Sequence, residues 1–117
     1  SGGHPAIVAV DQKSAQILGF GSLTAYRPRP AYSITVEDSV YVRDDSRGLG
    51  LGKGILDELV RLAGLHGYHS IIARIVGDHE ASIKLHAAAG FLQVGRETEV
   101  GRKHGRWLDV VLMQRMI

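Results

Sequence analysis

The sequence predicts a mixed α/β domain built around one strand–helix–strand unit, and three observations carry this. Ser33–Val42 alternates Ile34 and Val36 with Thr35 and Glu37, and runs on into Gly48, Gly50, Gly52 and Gly54. Such alternation marks a strand with one face buried. Leu51, Ile55, Leu59 and Leu62 then recur at helical spacing, with Leu56 and Ala63 beside them. Ser70–Val76 reads Ser-Ile-Ile-Ala-Arg-Ile-Val, a run that suits a strand buried on both faces and therefore parallel to a neighbour. Strand, helix and parallel strand make a βαβ crossover, which is right-handed.

The remaining elements follow in order. Ala6–Val10 is a short apolar strand, and Asp11-Gln12-Lys13-Ser14 a polar turn. Ile17–Ala25 is a second strand, in which Gly19 and Gly21 suggest a bulge or a close contact. Pro28 and Pro30 break the next segment, so Tyr26–Tyr32 reads as a rigid, extended loop carrying Arg27 and Arg29. The first helix ends near Leu65, where Gly64 and Gly67 supply stop signals. Asp78–Ala89 is a second helix, capped by Asp78 or His79 and closed by Gly90. Phe91–Val100 and Arg106–Ile117 read as strands joined through Gly101-Arg102-Lys103-His104-Gly105.

Length and composition exclude several classes. A chain of 117 residues that is 44% hydrophobic forms one domain with a real core. It has no cysteine, hence no disulfide, thiolate nucleophile or cysteine metal site, which suits the reducing cytoplasm. The net charge of +2 is scattered, so a solvated surface is expected and not a nucleic-acid patch. No apolar run approaches the roughly 20 residues of a membrane span, and no secretion signal is visible. Ser1-Gly2-Gly3-His4 carries no fold information.

The glycines fall where a strand passes into a helix N-terminus, whose first N–H groups lack partners and whose dipole is positive there. A phosphate or pyrophosphate is the expected guest. A Walker loop is excluded, because Arg47 stands five residues before Gly52 and Gly54 follows Lys53. A G-x-G-x-x-G dinucleotide loop is excluded too: counted from Gly48 or Gly50, the sixth position is Lys53 or Ile55. What remains is Arg47-x-x-Gly50-x-Gly52. On the second helix His79, Ser82, Ile83 and His86 make one stripe. Two imidazoles and a hydroxyl there point either to a site or to a partly exposed polar face. Metal binding is not expected, since Ile83 stands where H-E-x-x-H needs its second histidine.

Arg47-x-x-Gly50-x-Gly52 resembles the acyl-CoA pyrophosphate loop of the GNAT superfamily of N-acetyltransferases. His79-Glu80-Ala81-Ser82-Ile83-Lys84-Leu85-His86 followed by Gly90-Phe91 is similar to that superfamily's N-x-x-S/A-I/V-x-L-Y/H-x-x-x-G-F segment. Val100–Val110, His86 and Thr35–Val42 resemble the phosphinothricin and methionine sulfoximine acetyltransferase branch. The resemblance runs from about Ala6 to the C-terminus and implies a single GNAT domain over residues 1–117, with a mixed, mostly antiparallel sheet. It departs in two ways. His79 stands where the family has an asparagine that helps hold the pantetheine arm. The family's first strand and two helices, part of the acceptor-site wall, have no counterpart before Ala6, which leaves Ala6–Val10 as an expected sheet edge.

The resemblance implies acetyl-CoA as co-substrate and a small-molecule amine as acceptor. It places the cofactor on Ser39, Val40, Tyr41 and Val42, on Arg47, Gly48, Leu49, Gly50, Leu51, Gly52 and Lys53, and on His79 and Ser82. It places the acceptor on Tyr26, Arg27, Pro28, Val36, Glu37 and Asp38, with Arg27 meeting the substrate carboxylate in bidentate fashion. An α-amine is mostly protonated near neutral pH, so a base is required. Glu37 matches the branch's proposed base. His86, where many members have tyrosine, is expected to donate a proton to the leaving thiolate or to share in deprotonation. A backbone N–H near Tyr41–Val42 is the family's oxyanion donor. Trp107 is expected in the core or a dimer interface. The expected species is a cytoplasmic homodimer without metal. Rival readings are an acetyltransferase for a polyamine or peptide N-terminus, and a CoA-binding module with little catalysis.

Overall fold

The computed structural model describes residues 4–48, 50–77 and 79–117. Six strands form one sheet in the order β1-β2-β3-β4-β6-β5. They are β1 (Ala6–Val10), β2 (Ile17–Ala25), β3 (Thr35–Val42), β4 (Ser70–Val76), β5 (Leu92–Lys103) and β6 (Arg106–Met116). Helices α1 (Leu51–Leu65) and α2 (Glu80–Ala88) follow β3 and β4. All neighbouring pairs are antiparallel except β3 and β4. The sheet is thus mixed and mostly antiparallel around one βαβ unit, and β1 is an edge.

The parallel pair decides the rest of the molecule. β3 and β4 are paired only at Thr35–Ser70, Val36–Ile71 and Glu37–Ile72. The Thr35 and Ser70 hydroxyls, 3.1 Å apart, join this closed end. Beyond Glu37 the two strands part.

The core lies under α1. Ile55, Leu56, Leu59 and Ala63 bury the inner stripe of the helix against Leu23, Val36, Ile71, Ala73, Ile75 and Val111. Gly21 sits beneath it: a Cβ there would come 2.5 Å from the Cγ2 of Ile55. Both readings their sequence allowed are met: Gly21 marks a close helix–sheet contact, and the β1–β2 register slips beside Gly19, where Ala9 pairs with Gly19 and Val10 with Ile17.

Several boundaries move. Ser33 and Ile34 lie in a turn before β3, because Pro30 opens a short 3-10 helix (Pro30–Tyr32) and the Ser33 N–H donates to its carbonyl. That helix also interrupts the segment expected to be extended throughout. Tertiary pairing carries β5 on to Lys103, so the connection shrinks to His104-Gly105, with φ of 51° and 72°. Positive φ at both positions is the geometry of a two-residue hairpin turn matched to strand twist. β4 is not buried on both faces: Ile71, Ala73 and Ile75 are buried, while Arg74 and Val76 are exposed. Trp107 is not core; it is 59% exposed, with the Arg102 guanidinium 4.4 Å from its ring centre.

Candidate active site

β3 has two faces, and its side chains alternate between them. Val36 joins the core under α1, with Val40 and Val42 packed against it, so Glu37, Ser39 and Tyr41 point the other way. Val36 was expected to touch the acceptor. It is fully buried, because its place in the alternation puts it beneath the helix.

Where β3 and β4 part, a slot of about 150 Å³ opens through the sheet. Asp38, Ser39 and Val40 line it from β3, Ala73, Arg74 and Ile75 from β4, and Ser82 and His86 from α2. Beside it runs a groove of about 440 Å³ between the N-termini of the two helices. Of the expected cofactor residues, Val40, Tyr41 and Val42 line this groove on β3, as do Arg47 and Gly48. Gly50, Leu51, Gly52 and Lys53 line it from the start of α1, and His79 and Ser82 from the start of α2. Ser39 lines the slot, and Leu49 and Asp78 lie outside the described residues.

The groove has uncapped backbone donors and cations along it. Gly50 caps α1 with φ of 76° and has no side chain to offer the first-turn N–H groups. A Cβ at Gly52 would come no closer to its neighbours than 3.4 Å, from Leu85, so the protein itself leaves room over the helix start. Lys53 and Arg47 stand beside it, paired with Asp57 at 2.8 Å and Asp44 at 3.3 Å. At α2 the cap is His79, whose Nδ1 accepts from the Ser82 N–H at 3.2 Å. An imidazole nitrogen thus does the capping work for which an asparagine oxygen is well suited.

Glu37, which precedes the slot residue Asp38 on β3 and itself lines neither cavity, is half-buried, and burial lifts its carboxyl above the ordinary range. Arg74 pulls it back, Asp38 pushes it up further, and Arg27 opposes more weakly. A carboxylate so placed is better matched to accepting a proton near neutral pH. Asp38 faces α2, and its Oδ2 lies 2.7 Å from His86 Nε2. Expected to contact the acceptor, it lines the slot and is the buried partner of the histidine. His86 Nδ1 is 2.8 Å from the Ser82 carbonyl. Burial disfavours the charged imidazole, but the hydrogen bond and charge of Asp38, with the Ser82 carbonyl, outweigh this and raise its pKa.

Tyr26, Arg27 and Pro28 line neither cavity. Arg27 lies over the Tyr26 ring at 4.3 Å, and Tyr26 meets Tyr32 edge to face. Arg74 was missed by the sequence reading. Its signal was a lone cation inside the apolar run Ile71–Val76. It lines the slot and pairs with Glu97 at 3.1 Å. Ser46, buried in the acidic turn, and Leu85, opposite Gly52, were missed as well. Among the described residues, no group of three or more His, Asp and Glu side chains could hold a metal ion, and no helix is long and apolar enough to cross a membrane.

Known proteins resemble the chain in sequence and fold. Residues 6–112 match the family model described as an acetyltransferase (GNAT) domain. An L-methionine sulfoximine/L-methionine sulfone acetyltransferase of Pseudomonas aeruginosa is 45% identical over 112 residues; the match covers 96% of this chain and 64% of that protein's length. A phosphinothricin N-acetyltransferase of Alcaligenes faecalis is 45% identical over 115 residues, covering 97% of this chain and 57% of its own. The structure of a phosphinothricin acetyltransferase from Sinorhizobium meliloti in complex with acetyl-CoA superposes with a TM-score of 0.94 at 43% identity, covering 98% of this chain and 62% of that one. With the sheet parted between β3 and β4, the uncapped glycine start of α1 and this match along nearly all of its length, the chain belongs to the GNAT acetyltransferase family.

Proposed function

We propose that the chain, as one GNAT domain over residues 1–117, binds acetyl-CoA and transfers its acetyl group to the α-amine of a small amino acid analogue of the phosphinothricin or methionine sulfoximine type. The observation that carries this is the slot between β3 and β4. It opens beside the groove at the start of α1, with Glu37 on one side of the sheet and His86 on the other.

The residues divide the work. The first-turn N–H groups of α1, with Lys53 and Arg47, take the pyrophosphate. Acetyl-CoA supplies the thioester. Glu37 removes the proton from the acceptor ammonium, and burial has set its carboxyl upward for that task. Past Glu37, β3 has no β4 partner, so an N–H of the Tyr41–Val42 stretch is available to the oxyanion. Arg27 and Arg74, the two cations that act on Glu37, attract the acceptor carboxylate. Tyr26 and Pro28 shape the loop that carries Arg27. A second copy across an exposed sheet edge makes the homodimer, and the cysteine-free chain suits the cytoplasm.

Thiol release from acetyl-CoA tests the reading, using amino acid analogues, their amides and a polyamine as acceptors. Release with the free amino acids, and weaker release with the amides, is the expected result. Preference for the polyamine would reassign the acceptor. Acetyl-CoA binding without release would reduce the chain to a CoA-binding module.

A further inference from the structure

Asp38 and His86 lie 48 positions apart and meet inside the slot. Their side chains are 1% and 6% exposed, and Oδ2 is 2.7 Å from Nε2. On the other side of the ring, Nδ1 is 2.8 Å from the Ser82 carbonyl oxygen. A carbonyl oxygen only accepts, so Nδ1 carries a hydrogen. A neutral imidazole has one N–H, and with that hydrogen on Nδ1 the lone pair of Nε2 would face a carboxylate oxygen. Two lone pairs at that distance repel, so a second proton lies between Nε2 and Oδ2.

We propose that Asp38 is a positioning residue that holds His86 as a doubly protonated imidazolium with its ring fixed, so that His86 acts as a cation and donor and leaves proton removal from the amine to Glu37. The assignment of that role rests on the acetyl-transfer reading of the slot; the protonation of the ring stands apart from it. The surroundings agree. The raised pKa of His86 has the same direction. The edge of the ring packs against Phe91, with centroids 5.0 Å apart, which leaves it one orientation. Besides the pair, Arg74 is the charged residue that lines the slot; elsewhere on the surrounding elements stand Glu37 on β3, Glu80 and Lys84 on α2, Lys53, Asp57, Glu58 and Arg61 on α1, and Arg106, Asp109 and Arg115 on β6. Arg74 is paired with Glu97 and Lys53 with Asp57, and the hydrogen bonds of the imidazole go to Asp38 and Ser82. Asp38 Oδ1 is buried without a hydrogen-bond partner among the described residues, so the pair still has an open acceptor where it lines the slot.

Nitrogen NMR of the full chain with isotope-labelled histidine tests this without any need for turnover. Both His86 ring nitrogens should be protonated at neutral pH. Asp38→Asn, which keeps an acceptor but removes the charge, should lower the titration midpoint by at least about one pH unit, a tenfold loss of proton affinity. A singly protonated ring in the parent at neutral pH overturns the proposal. So does a midpoint that Asp38→Asn leaves in place. If Asp38→Asn does not fold, the proton count in the parent decides alone. Calorimetry with acetyl-CoA keeps the two readings separate: no binding would strike the proposed function and leave the imidazolium finding as it stands.

Discussion

Glu37 and Asp38 are adjacent in the chain, yet strand alternation sends them to opposite faces of β3, and each face gives its carboxylate a different task. Glu37 meets Arg27 and Arg74 and is lifted by burial. Asp38 meets His86. Turnover of the parent should rise with pH as Glu37 passes through its raised pKa into the carboxylate form. Glu37→Gln should lower kcat by roughly 10²–10⁴ while acetyl-CoA affinity by calorimetry stays unchanged. The deficit should shrink at higher pH, where more of the amine is already neutral; a kcat within a few-fold of the parent at every pH would remove Glu37 from the mechanism. His86 gives a second pH effect, of opposite sign. Its folded pKa is raised, so the stability it contributes is fully present below the ordinary imidazole value of about 6.5 and is lost as pH rises through the folded value. The melting temperatures of parent and His86→Gln should therefore differ most in acid and converge in mild alkali. A gap that widens with pH would contradict the ion pair.

At the scale of elements, α1 serves the fold and the site with different residues. Its N-terminus lines the groove proposed for the pyrophosphate. The contacts of an added Cβ at Gly52 are ordinary, so Gly52→Val should fold and yet fill the space a phosphate needs. Its acetyl-CoA affinity should fall at least about tenfold, ~1.4 kcal/mol; unchanged affinity in a folded variant would end the pyrophosphate assignment. The flank of α1 rests on β2 at Gly21. Gly21→Ala puts a methyl group 2.5 Å from Ile55, and overpacking of this kind costs roughly 1–3 kcal/mol. Denaturant unfolding should show that loss with little change in acetyl-CoA affinity. Equal stability would mean that α1 can lift off the sheet without penalty.

Across the whole molecule, the sheet ends in β1 and β5, both edge strands. Edge strands present unpaired backbone groups and invite pairing. On the face away from α1, β1, β2 and β3 carry Val8, Phe20 and Tyr41 in register, each 46–58% exposed, with Phe20 and Tyr41 stacked 5.4 Å apart. Exposed apolar residues in a contiguous row favour association when another surface can cover them. Sedimentation should find the chain self-associated, and Val8→Lys should shift it towards monomer. A parent that sediments as monomer at every concentration would show that this row does not mediate association of the chain.

Legibility followed the range of the interactions. The residues of the sequence alone determined the βαβ unit, because period-2 and period-3.6 patterns act within a few positions of Ile34–Val36 and Leu51–Leu62. They determined the uncapped start of α1, because glycines at a strand–helix junction offer no side chain to its first N–H groups. Ordered motifs such as His79–His86 determined the family. Tertiary structure alone decided which residues meet at the slot. β3 and β4 share three rungs and then part, and no local pattern in either segment marks where. That parting leaves Asp38 and His86 to meet with Arg74 at the slot, while packing beneath α1 buries Val36, which a linear motif had placed at the acceptor. Side chains one position apart have opposite fates across a strand, and only the packed sheet fixes which face is which.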